Sequence, residues 1–140
     1  MYDDWGAFRD PTVPRCYAIT AVEPEKGKDK GNYAAYADVG TWPRQDVRGQ
    51  VHFRLSHELA PHPRIALYLG GQRFELTGGG ADAWAADKRM DAAIVAALRS
   101  ASSMSISATD KAGRRFTDNY SLKGVATAMD AATVGCARAR

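Results

Sequence analysis

The sequence is short of most features that announce a function. Among its 140 residues there are two cysteines and three histidines. Its apolar runs are all too short for a membrane-spanning helix, which needs about 20 consecutive apolar residues. Neither sign of charge dominates, since 19 basic and 16 acidic side chains leave a formal net charge of +3. The bases are scattered among acids, apart from the clusters Lys26-Gly27-Lys28-Asp29-Lys30 and Arg114-Arg115. A nucleic-acid binder concentrates its bases on one stripe, so that class of partner is excluded. The opening Met1-Tyr2-Asp3-Asp4-Trp5 has neither the basic n-region nor the apolar h-region of a signal peptide. There is no internal repeat, no low-complexity tract, no P-loop lysine spacing, no dinucleotide fingerprint and no glycine-framed nucleophile, so no cofactor is expected.

What is present is globular. A hydrophobic content of 45% and a charged content of 25% suit a chain that builds its core without a metal or several disulfides. The length fits a single domain over residues 1–140.

The two cysteines, Cys16 and Cys136, sit near opposite ends of the chain. Leu122, Val125, Ala126, Met129, Ala132 and Cys136 recur at steps of three and four, the apolar stripe of an amphipathic helix. Leu122, Met129 and Cys136 share one face of it, so Cys136 points inward. Cys16 opens residues 16–22, a stretch β-branched and aromatic enough for a strand covered on both faces. The two sulfurs meet if the helix packs over that strand. Such geometry permits a disulfide without requiring one, and two buried free thiols are the alternative. A bridge closing a loop of about 120 residues stabilises by about 4–5 kcal/mol in the chain-entropy picture. The choice also bears on compartment. Either the chain is cytosolic and reduced, or it is the mature form of an exported protein with an initiator Met in place of its signal. Cysteines placed at the two ends favour export.

Elements follow from periodicity. Residues 23–32 are charged and broken by Pro and Gly, which predicts a solvated loop. A second strand is expected over residues 33–39, ended by Gly40 and Trp42-Pro43. Residues 47–59 alternate around Val51, Phe53 and Leu55, with Arg48, Gln50, His52, Arg54 and Ser56 on the opposite, polar face. Residues 65–76 read as a hairpin about Gly70-Gly71, pairing Leu67 with Phe74 and Ile65 with Leu76, and Tyr68 with Arg73 and Ala66 with Glu75 outside. Gly78-Gly79-Gly80 is expected to break the sheet. Asp87 is placed to cap a helix whose inner face carries Met90, Ile94, Ala97 and Leu98. Residues 103–109 and 115–120 form a second hairpin about Asp110-Lys111-Ala112-Gly113, and Ser121 is placed to cap the terminal helix. The fold class is therefore mainly β (α+β), an antiparallel β-sandwich or curled sheet with two covering helices.

Candidate chemistry is sparse. His57 and His62, with Glu58 between them, resemble the zinc-protease pattern, but they are five apart rather than four, and Pro61 disrupts a helix there. On a strand, His52 and His57 face opposite sides. Surface histidines are the plainer reading, and no metal site is expected. Ser56-His57 and the serines at 100, 102 and 103 offer nucleophile types without the framing glycines. The glycines at 78–80 precede a helix, as an anion site requires, but a plain connection explains them better. Trp5, Trp42 and Trp84 lie in turn-like or terminal surroundings. Such rings either plug the ends of a β core or form a recognition surface, and plugging is favoured.

Trp5 ahead of Cys16, Phe74-Glu75-Leu76 followed by Trp84, and the segment Phe116-Thr117-Asp118-Asn119-Tyr120-Ser121-Leu122-Lys123-Gly124 leading to Cys136 resemble the invasion-associated locus B family of alphaproteobacteria. The most specific of these is aromatic-Ser-Leu-x-Gly ahead of the cysteine-bearing helix. The resemblance implies a small exported protein, periplasmic or outer-membrane-associated, rich in β structure, with no recognised enzymatic activity and with Cys16 and Cys136 paired. The function expected is a non-enzymatic envelope module that binds an unknown protein or small envelope ligand, with Trp5, Trp42, Trp84, His57 and His62 as its candidate surface. A small hydrolase or metal-dependent enzyme using His57 or His62 with Glu58 is the rival. A cytosolic regulatory domain with reduced thiols is a third reading.

Overall fold

The computed structural model describes residues 1–24 and 34–137. Most of the charged loop expected at 23–32, and the expected strand start at Tyr33, fall outside the described residues. In chain order the elements are β1 (Gly6–Asp10), β2 (Arg15–Ala21), β3 (Tyr36–Trp42), β4 (Val47–Arg54), β5 (Ile65–Leu69), β6 (Gln72–Gly79), β7 (Asp82–Trp84), α1 (Lys88–Leu98), β8 (Met104–Thr109), β9 (Arg115–Tyr120) and α2 (Val125–Ala137). All the strand pairings are antiparallel, and they build one nine-stranded sheet in the order β1-β2-β3-β4-β7-β6-β5-β8-β9. Of the two expected architectures, the curled sheet with two helices is the one observed.

The hairpin at residues 65–76 has the anticipated register: Ile65 opposes Leu76, Leu67 opposes Phe74, and Tyr68 opposes Arg73. Gly70 takes φ 60° at the first central position of the two-residue turn, the left-handed conformation that primed turns require. Asp87 caps α1, its carboxylate accepting from the amide of Met90 at 2.8 Å. Asp91 ties α1 to the sheet by accepting from the amide of Val51 at 2.9 Å.

Several expectations are corrected. β1 has no counterpart among the strands expected from sequence, because Gly6-Ala7-Phe8-Arg9-Asp10 has no clean alternation. β3 runs through Gly40 to Trp42 and is followed by a 3-10 turn, Pro43–Gln45. β4 ends at Arg54 rather than near Leu59, so Ser56 leaves the strand's polar face and is buried. The glycines at 78–80 do not break the sheet: β6 continues to Gly79 and turns into β7, with Gly78 opposite Ala83. A β-carbon on Gly78 would collide with the backbone of Asp82 and the side chain of Ile65, so this strand passes too close to its neighbours for any other residue. Ser121 does not cap α2. Gly124 holds φ 87°, outside helical space, so the helix starts at Val125.

Both helices lie on one side of the sheet, α2 over β1, β2 and β3 and α1 mainly over β4. Between helices and sheet is a core that includes Trp5, Phe53, Leu55, Ile65, Leu67, Leu69, Ile94, Ile106, Ala128 and Met129. Cys16 and Cys136 are disulfide-bonded with their α-carbons 5.7 Å apart, pinning the end of α2 onto β2. The sheet is not closed, yet its ends approach through the N-terminal segment. The amide of Asp4 donates to the carbonyl of Lys123, and that of Glu23 to the carbonyl of Asn119.

Candidate functional site

In β2, Cys16, Ala18 and Thr20 are buried toward α2, which leaves Arg15, Tyr17 and Ile19 on the side without helices. The pleat carries this alternation across the sheet. One row of opposed residues on the uncovered face runs Ile19, Asp38, His52, Trp84 and Thr77. Beside it lie Tyr36, Arg54 and Asp82 in one row, and Phe8, Tyr17, Gly40 and Gln50 in another.

His52 is at the centre. Its Nδ1 lies 2.8 Å from Asp38 and its Nε2 2.9 Å from Asp82. A carboxylate at each ring nitrogen favours the form in which both nitrogens donate, the imidazolium. Burial opposes that charge, but the hydrogen bonds to Asp38 and Asp82 outweigh it and hold the imidazole above its ordinary range. Asp38 is only 2% exposed although it belongs to the outer face, and Arg15 also reaches it at 3.4 Å. Arg54 pairs with Asp82 at 3.0 Å.

Aromatic rings surround these charges. The His52 ring lies 5.3 Å from that of Trp84 and 5.8 Å from that of Tyr36. The Arg15 guanidinium sits over Tyr17 at 4.2 Å and over Trp42 at 4.8 Å, and Tyr17 stacks on Phe8 at 5.6 Å. Two glycines let rings lie against the sheet. A β-carbon on Gly40 would come within 2.9 Å of the Trp42 ring, and one on Gly6 within 2.6 Å of the Phe8 ring. Phe8 is 48% exposed and Trp84 38% exposed, so this face presents apolar rings to solvent over a base of paired charges.

The sequence-derived candidates are dispersed. Trp5 is 1% exposed and plugs the core, whereas Trp42 and Trp84 are on the uncovered face. His57 approaches Asp110 at 4.0 Å and packs 4.9 Å from the Phe116 ring. Glu58 pairs with Lys111 at 2.9 Å, and His62 is exposed at φ 50°. The three do not converge. Among the described residues no group of three His, Cys, Asp or Glu side chains is placed to hold a metal ion. Ser56 is buried, its hydroxyl donating to Asp118. The cluster of Asp38, His52 and Asp82 has no signature in the sequence because it forms across three strands. Its one legible signal was the alternation that put His52 on the polar face of β4. Arg48, expected on that same face, instead lies on the helix side, next to Gly49 at φ 64°.

A family model described as Invasion associated locus B (IalB) protein matches residues 9–133. The crystal structure of invasion associated protein b from Bartonella henselae is similar at a TM-score of 0.63 and 18% sequence identity, covering 96% of this chain and 94% of that one. At that identity the likeness is one of fold. No curated protein matches the chain.

Proposed function

From the chain's membership of the invasion-associated locus B family, we propose that it is an exported, non-enzymatic binding module of the cell envelope that holds its partner on the uncovered face of the sheet. The carrying observation is the set of rings on that face, Phe8 and Trp84 exposed and Tyr17 and Trp42 half-buried, packed about Arg15 and His52. Rigid aromatic side chains give large contact area at little entropic cost, and interfaces are enriched in them. The mutual pairing of Asp38, His52, Asp82 and the two arginines favours recognition over proton transfer. The disulfide supports export, because such bonds persist in oxidising compartments. No helix among the described residues is long and apolar enough to cross a membrane.

The test titrates oxidised protein with peptidoglycan fragments, lipopolysaccharide and outer-membrane vesicles while tryptophan fluorescence is followed. Saturable binding that disappears in Trp42→Ala/Trp84→Ala, with the circular dichroism spectrum retained, is the expected result. Hydrolytic turnover that is lost in His57→Ala/His62→Ala would overturn the non-enzymatic reading. Cell fractionation with thiol alkylation addresses compartment: alkylatable Cys16 and Cys136 in a cytosolic fraction would remove export.

A further inference from the structure

On the opposite side of the sheet, α1 and α2 cover different strands and leave a trough of about 850 Å³ between them, within the roughly 300–1,000 Å³ of small-molecule sites. Its apolar lining includes Val39 from β3, Val95 from α1 and Met129 from α2, and Cys136 places the disulfide in its wall. Among the described residues its charged lining is of one sign: Arg44, Arg48, Lys88 and Arg99, with no Asp or Glu. Arg99 is paired with Asp130 at 2.8 Å. Arg44, Arg48 and Lys88 are exposed and have no carboxylate partner among the described residues.

We propose that this trough binds a single long-chain fatty carboxylate, its hydrocarbon tail lying against Val39, Val95 and Met129 and its head held by Arg44, Arg48 and Lys88. Two features select that chemistry. An apolar trough removes a hydrocarbon chain from water, and each buried methylene adds to the binding. A rim of three cations without a carboxylate partner among the described residues adds attraction for an anion and none for a neutral lipid. A polyanion would use the cations but leave the apolar floor idle. The trough and the aromatic face lie on opposite sides of the sheet, so this inference stands or falls independently of the proposed function.

The experiment uses the full oxidised chain and cis-parinaric acid, a fluorescent fatty acid, below its micelle concentration. The expected result is saturable one-to-one binding, displaced by palmitate and at least tenfold less effectively by methyl palmitate. Arg48→Glu/Lys88→Glu should weaken the affinity tenfold or more. Ala96→Trp, at an exposed helix position lining the trough, should abolish binding while the circular dichroism spectrum is retained. The proposal is overturned by absence of binding to the monomeric acid, by equal competition from the ester, or by unchanged affinity in both variants. Sedimentation with phosphatidylglycerol vesicles, without binding of the monomeric acid, would replace it with a membrane-surface role.

Discussion

Trp5 and Ser121, 116 residues apart, are joined by a 2.8 Å hydrogen bond from the indole Nε1 to the backbone carbonyl. This contact gives physical content to the aromatic-Ser-Leu-x-Gly segment. Tyr120 packs beside Phe53 in the core, at 5.8 Å between rings. Ser121 receives the indole through its carbonyl and donates its hydroxyl to Asp4 at 2.6 Å. Gly124, at φ 87°, leaves room for the backbone of Tyr2. The segment is a latch that holds the N-terminal strand's approach against the start of α2.

The latch makes Gly124 a sensitive position. Gly124→Ala combines a left-handed backbone with a β-carbon that would overlap the Tyr2 carbonyl, and should cost at least about 2 kcal/mol. Trp5→Ala should cost about 3–5 kcal/mol, as for other large buried rings. Urea unfolding measures both. A Gly124→Ala protein as stable as the parent would show that the N-terminal segment is not held there.

Reducing the disulfide, or replacing both cysteines with alanine, should lower stability by about 2–5 kcal/mol. The effect is expected to be local as well as global, because Cys136 lies at the end of α2. Amide hydrogen exchange should accelerate in α2 more than in the hairpin of β5 and β6. Uniform acceleration along the chain would contradict an anchoring role.

His52 should titrate above its ordinary value of about 6.5. A folded-state pKa raised above the unfolded one stabilises most below the unfolded value, and that contribution is lost as pH rises through the folded value. The stability difference between the parent and His52→Gln should therefore be largest at or below about pH 6.5 and shrink toward alkaline pH. The imidazole midpoint is read by NMR. A midpoint at or below 6.5 would contradict the paired imidazolium.

Substitutions on the uncovered face should separate recognition from structure. Trp84→Ala and Phe8→Ala remove exposed rings and should change stability by no more than about 1 kcal/mol. Asp38→Ala removes a buried carboxylate from beside Arg15 and His52 and should cost about 2–3 kcal/mol. Comparable losses from Trp84 and Asp38 would mean that the rings hold the sheet together rather than await a partner.

The sequence by itself was enough for whatever depends on neighbours along the chain. The Gly70-Gly71 hairpin, the Asp87 cap, the inward phase of Cys136 and the β-rich class with two helices all follow from periods of two or 3.6 and from local turn chemistry. Tertiary structure decided whatever depends on register between strands. Asp38, His52 and Asp82 are brought together by pairing across β3, β4 and β7. β7 itself exists only because Gly78 and its neighbours turn rather than break the sheet. Trp5 became a core plug, while Trp42 and Trp84 became surface rings, although all three looked alike in sequence. A side chain's burial is set by which elements cover its face, and the placement of α1 and α2 is a property of the assembled sheet that no local pattern encodes.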